Sequence, residues 1–187
     1  MKKISLIFCL IALCTVNIFA QKFQRSDTGI QLEVGDQNIC LQLYSPATIR
    51  ILKSPLNFKY EKTSLSVIQK PQKVKYSVTS SNNIVNLKTS KIKIEVNLET
   101  GTLSFSSLGG KSLLKEKCRA NFVDFDDSGN KAFHVSQSFA LDKDEAVYGL
   151  GQIPNGKMSQ RNQTNYMIQS NLEDFTNIIQ SVKGYGI

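Results

Sequence analysis

The sequence predicts an all-β fold, an antiparallel β-sandwich, and three features of its 187 residues point there. Apolar and polar residues alternate with period two in several short runs, which places the apolar side chains of each run on one face of a strand. Clusters of Gly, Pro, Asn, Asp and Ser separate these runs and supply turn chemistry. No stretch of about twelve or more residues carries a strong helical period, so the crossover helices of a doubly wound fold have no place in the chain.

The first element is an address. Met1-Lys2-Lys3 is a short positive head, Ile4 to Val16 is apolar apart from Ser5 and Thr15, and a small residue stands at Ala20. This is the three-part pattern of a secretory signal peptide. Its apolar run falls short of the ~20 residues that a membrane span takes. The expectation is cleavage after Ala20, a periplasmic or secreted protein with no membrane span, and one domain over residues 21–187. Cys9 and Cys14 leave with the signal; Cys40 and Cys118 stay. An oxidising compartment permits these two to pair, but two buried, unpaired thiols in strands is the simpler expectation.

The strands follow in order. Ile30, Leu32 and Val34 share one face, and after a Gly35-Asp36-Gln37-Asn38 turn so do Ile39, Leu41 and Leu43. Ile49 and Ile51 continue the pattern between Pro46 and Pro55, neither of which donates to a central ladder. Val74, Tyr76 and Val78 form a further strand, closed by the polar turn Ser80–Asn83. The clearest run sets Ile92, Ile94, Val96 and Leu98 against Lys91, Lys93, Glu95 and Asn97. It turns at Glu99-Thr100-Gly101 and returns through Leu103 and Phe105. Leu108-Gly109-Gly110-Lys111 makes the next turn.

Composition excludes several functions. With 41% hydrophobic and 20% charged residues the chain is neither disordered nor a multi-span membrane protein. The formal net charge of +8 raises the question of nucleic acid. However, the arginines (Arg25, Arg50, Arg119, Arg161) are dispersed and the lysines alternate with apolar residues, as on solvated strand faces. No nucleic-acid partner is expected. Asp124-Phe125-Asp126-Asp127-Ser128-Gly129 opens like a calcium loop, but its twelfth position is Val135 where a bidentate Glu is needed; it reads as a polar hairpin tip. Gly149-Leu150-Gly151 begins a dinucleotide fingerprint that fails at Pro154. His134, the one histidine, lies between Phe133 and Val135 and should face outward. Neither metal nor cofactor is expected.

The informative stretch begins at Glu145-Ala146-Val147-Tyr148-Gly149-Leu150-Gly151. It continues through Gln160-Arg161-Asn162 and Met167-Ile168-Gln169-Ser170-Asn171 to Lys183-Gly184-Tyr185-Gly186. Upstream, Leu87-Lys88-Thr89 leads into the hairpin Thr100-Gly101-Thr102-Leu103-Ser104-Phe105. In order and spacing these blocks resemble the N-terminal β-sandwich of glycoside hydrolase family 31, a galactose-mutarotase-like supersandwich, over most of residues 30–187. Two positions depart from the family pattern: Asn162 stands where Gly usually follows Arg, and Met167 stands near a usual Trp. On physical grounds, the two glycines of Tyr148-Gly149-Leu150-Gly151 flank a Leu expected to be buried, and suit a strand that bends where another backbone comes close. Residues 152–177 are rich in amides, which hydrogen-bond sugar hydroxyls without charge. Tyr166 and Phe175 could add an apolar platform.

The resemblance implies retaining hydrolysis of α-linked gluco- or xylo-saccharides by an exported enzyme, with carbohydrate as partner. It places both catalytic carboxylates on a (β/α)8 barrel, which takes ~250 residues; the chain stops at Ile187 before such a barrel begins. No catalytic residue is therefore expected here. Glu145 reads as a pre-strand surface acid, and Glu173-Asp174 as loop charge. The one substrate-binding residue implied is Asn171, which aligns with a loop position that reaches over the barrel mouth. Two other readings stay open: a free-standing carbohydrate-binding sandwich, and a structural or adhesive exported β-protein.

Overall fold

The computed structural model describes residues 23–58 and 64–187; the signal peptide expected over residues 1–20 lies outside them. Among the described residues the elements are β1 (Gln24–Ser26), β2 (Gly29–Val34), β3 (Gln37–Ser45), β4 (Thr48–Pro55), β5 (Ser77–Ser81), β6 (Ile84–Lys88), β7 (Ile92–Asn97), β8 (Leu103–Ser107), β9 (Ser112–Glu116), β10 (Asn121–Asp127), β11 (Asn130–Ser136), β12 (Phe139–Ala140), β13 (Val147–Gln152) and β14 (Asp174–Ser181). All pair antiparallel. One sheet runs β1-β2-β3-β4 and a second runs β12-β9-β8-β7-β6-β5, while β10-β11 and β13-β14 are separate hairpins.

The alternation produces the sandwich directly. Ile30, Leu32, Val34, Ile39, Leu41 and Leu43 of the first sheet and Val85, Leu87, Ile94, Val96 and Leu103 of the second form a single buried cluster. Each residue between them turns to the opposite face of its own sheet, as strand geometry requires. The all-β antiparallel expectation holds, and so does the inward face of each run.

Two boundaries differ from the sequence reading. Gln37 and Asn38 belong to β3 and not to the turn, leaving a two-residue connection at Gly35-Asp36. Gln37 continues the inward face of Ile39, and its buried amide donates to Ala120 O at 2.6 Å. Val74 and Tyr76 precede β5, because their segment is held by the first sheet. Gln72 N donates to Leu43 O at 2.7 Å, and Tyr76 Oη donates to Gly29 O at 2.7 Å. Their apolar surfaces still pack on the core, which explains an alternation that starts before the ladder does.

Turn chemistry fits the ladders. Asn82 and Asn83 both adopt positive φ (49° and 59°) between β5 and β6, as a two-residue hairpin turn of the I′ kind demands. Between β7 and β8, Asn97 Oδ1 accepts from the amides of Glu99 (2.8 Å) and Thr100 (3.0 Å). The Asp124–Gly129 stretch is the tip of the β10–β11 hairpin, where Asp126 Oδ1 accepts from Gly129 N at 2.7 Å. His134 is exposed as expected, with its ring 4.2 Å from that of Phe125.

A contact with no sequence signature ties the two sheets. Lys53 Nζ of β4 sits 2.6 Å from Glu116 Oε2 of β9, with side-chain exposures of only 7% and 4%. The same carboxylate oxygen accepts from Leu103 N at 2.8 Å. The thiols are unpaired. Cys40 is half-buried on the outer face of β3, where burial pushes its thiol pKa up. Cys118 corrects the expectation of a buried strand residue: it is exposed, in the bend between β9 and β10.

Candidate functional site

The chemistry-bearing residues converge on the β13–β14 hairpin and on loop 153–173, which connects its strands. The hairpin is irregular by design of its sequence. Its register shifts between Gly149 and Gly151, and Gly149, Leu150 and Gly151 all take positive φ. A Cβ on Gly149 would lie 2.3 Å from Ile178 O, and one on Gly151 would lie 1.9 Å from Asp174 O. The expected bend and close backbone approach are both present. Leu150 corrects the expectation of a buried residue, being only half-buried because the bulge turns it aside.

Beneath the hairpin lies a polar cluster centred on Glu145. This carboxylate is 3% exposed, so it is a buried acid and not the surface acid expected from its position before a strand. Oε1 accepts from Ser181 Oγ at 2.5 Å and from Tyr185 Oη at 2.6 Å. Oε2 accepts from the Asp142 amide at 3.0 Å. Lys183 Nζ stands 3.8 Å from Oε2 and 2.9 Å from the Asp142 carboxylate. Burial pushes the carboxyl pKa up, but the three hydrogen bonds and the Lys183 ammonium outweigh it and hold Glu145 below the ordinary value. Burial and the bond to Glu145 push the Tyr185 phenol up to about 12.

Arg161 joins loop to cluster. Its Nη1 donates to both Asp142 O and Glu145 O at 2.8 Å. Beside it, Gln160 N donates to Val147 O at 2.8 Å, and Asn165 Nδ2 donates to Gln160 Oε1 at 3.0 Å. Further along, the Gln169 side chain acts as a strand residue: Nε2 donates to Phe175 O and Oε1 accepts from Phe175 N, each at 2.9 Å. Many of the loop's amides therefore hold the loop itself.

Asn171 sits at the exposed tip after this second anchor, in a turn closed by Ser170 N donating to Glu173 O at 3.2 Å. Tyr166 is 82% exposed, but Phe175 is 8% exposed. Phe175 therefore packs within the hairpin and cannot present a platform. Asp174 opens β14 opposite Gln152 and is strand, not loop. Met158, Ile168 and Leu172 of the same loop are exposed as well. A separate open cleft of about 580 Å³ lies against the β10–β11 hairpin, lined by Phe58, Phe133, Asp124, Asp126 and Lys131 among others. The Glu145 cluster was not legible beforehand, since its partners lie 36 and 40 residues away in sequence.

Residues 38–177 match the family model of the glycosyl hydrolase 31 N-terminal galactose mutarotase-like domain. The chain belongs to that family. The match runs from β3 to the first half of β14 and includes Glu145, Arg161 and Asn171. Among solved structures, a GH31 α-xylosidase from Xanthomonas citri is similar at 25% identity with a TM-score of 0.82, over 87% of this chain and 18% of that one. A GH31 α-xylosidase from a soil metagenome, solved with xylose, shares the fold at 19% identity and TM-score 0.73, covering 89% of this chain and 27% of its own. A GH31 dextranase from Flavobacterium johnsoniae, solved with glucose, does so at 20% identity and TM-score 0.65, over 88% of this chain and 21% of that one. The family 31 domain described here thus spans between about a sixth and just over a quarter of the length of these proteins.

Proposed function

We propose that this family 31 domain is the carbohydrate-contacting flank and scaffold of an exported α-glycosidase. In this reading retaining hydrolysis of α-linked gluco- or xylo-saccharides is performed by two carboxylates on a (β/α)8 barrel, and residues 21–187 alone are inactive. The observation that carries the reading is the solvent-facing loop 153–173, tied down at Arg161 and Gln169 and exposing Asn171 along with Tyr166, Ile168 and Leu172. Relatives that share the fold are an α-xylosidase solved with xylose and a dextranase solved with glucose, which supports the substrate class.

The most buried acid near the loop, Glu145, does not serve as a catalytic carboxylate in this reading. Retaining hydrolysis takes a nucleophile and an acid/base about 5–5.5 Å apart across the scissile bond. Glu145 is closed off from any sugar, with both oxygens engaged by Ser181, Tyr185 and Asp142. The role proposed for Asn171 is a hydrogen bond to a glycosyl hydroxyl. A hybrid in which this domain replaces the corresponding domain of the Xanthomonas citri α-xylosidase tests it. Asn171→Ala is expected to raise KM for an α-xyloside about tenfold or more, the scale of one lost hydrogen bond of roughly 1.5 kcal/mol. An active hybrid whose KM ignores the substitution would refute the contact. For export, N-terminal sequencing of the secreted chain should begin at Gln21; a retained Met1 would overturn that part.

A further inference from the structure

The loop that bears Asn171 is fastened at two points of different chemistry. The second, Gln169 against Phe175, is neutral and local. The first is long-range and sets a charged donor, the Arg161 guanidinium, on two backbone carbonyls. The Asp142–Glu145 turn is closed on itself by Glu145 N donating to Asp142 O at 3.2 Å and by Asp142 N donating to Glu145 Oε2 at 3.0 Å. That closure directs the two carbonyls of Asp142 and Glu145 at one nitrogen of Arg161, which lies in the loop. The same carboxylate takes the hydroxyls of Ser181 and Tyr185, from the end of β14 and the segment that folds back beside it. One buried side chain thereby sets a turn, a loop and the C-terminal segment relative to each other.

We infer that Glu145 is a positioning residue: its buried carboxylate, acting through the Asp142–Glu145 turn and Arg161, fixes the first half of loop 153–173 against the Ser181–Tyr185 segment. This rests on the reading that the loop faces sugar, and it assigns the carboxylate a task other than chemistry. The groups that face it are Lys183 and Asp142 as charges, Tyr185 and Ser181 as hydroxyls, and Arg161 across the turn. Protonation would place an O–H donor on a carboxyl whose neighbours are all donors, Ser181, Tyr185, the Asp142 amide and the Lys183 ammonium, so the order of the loop should depend on Glu145 being ionised.

Amide hydrogen exchange on the full chain, without sugar, tests this. Glu145→Gln and Arg161→Met should each lower protection factors at Gln160, Arg161 and Gln163 at least tenfold, while β3 and β7 keep theirs. In the unaltered chain the same amides should lose protection as pH falls below about 4, and in Glu145→Gln that pH dependence should vanish. Protection that falls uniformly across all strands would make Glu145 a general stabiliser and overturn the inference. So would unchanged protection at Gln160–Gln163, or pH dependence that survives in Glu145→Gln. Asn171→Ala should leave exchange at Gln160–Gln163 untouched, so failure of the sugar contact and failure of the positioning role are read separately.

Discussion

Glu145 and Lys53 are buried charges with several partners each, and each makes a prediction at the scale of one side chain. The Glu145 carboxyl has a folded pKa below its ordinary value. A depressed carboxylate contributes stability that is fully present above the unfolded pKa of about 4.3 and is lost as pH falls through the folded value. Urea midpoints should therefore fall below about pH 4, and Glu145→Gln should flatten that fall. Lys53 and Glu116 form the ion pair between sheets. Removing one partner leaves the other charge buried and uncompensated, so Lys53→Met should cost about 3–5 kcal/mol, and Lys53→Met with Glu116→Leu should recover much of it. Equal loss in the single and double variants would contradict this. Neither cluster was legible in the sequence, because a lysine at 53 and a glutamate at 116 read as ordinary solvated strand charges until the sheets are stacked.

The strands themselves were legible, because their signal is local. Period two in Ile92-Lys93-Ile94-Glu95-Val96 reports the face directly, and Asn82-Asn83 or Gly101 report the turn. What failed at this scale failed for a stated reason. Val74 and Tyr76 alternate but lie in a segment that Gln72 N and Tyr76 Oη bond to the other sheet, and Leu150 lies in a bulge. The bulge is where an element-scale prediction belongs. Gly149→Ala or Gly151→Ala would drive a Cβ into the carbonyl of Ile178 or Asp174. The positive φ alone costs about 1–2 kcal/mol, and the clash must part β13 from β14. Exchange protection at Tyr148 and Gln180, which are partners across the hairpin, should collapse in either variant while β2 and β3 stay protected; a hairpin that keeps its protection would show that the close approach is not required.

At the scale of the molecule, the family and the sandwich were readable from the order of short blocks between Leu87 and Gly186, which no single block would have carried. The site was only half readable. Asn171 came from alignment of a block, while the anchors that hold its loop, Arg161 on backbone carbonyls and Gln169 on Phe175, are three-dimensional facts. Met158, Tyr166, Ile168 and Leu172 are each exposed within that loop, and exposed apolar side chains promote association when they cluster. Sedimentation should show concentration-dependent association of the chain, relieved by Ile168→Lys with Leu172→Lys. A strict monomer at all concentrations would contradict this. In the proposed function bond breaking occurs on a barrel and not within residues 21–187. Purified residues 21–187, incubated with chromogenic α-xyloside and α-glucoside and freed of host glycosidases, should release no chromophore above the buffer rate. Sustained turnover that co-purifies with the chain through every step would place the catalytic carboxylates inside the sandwich and contradict it.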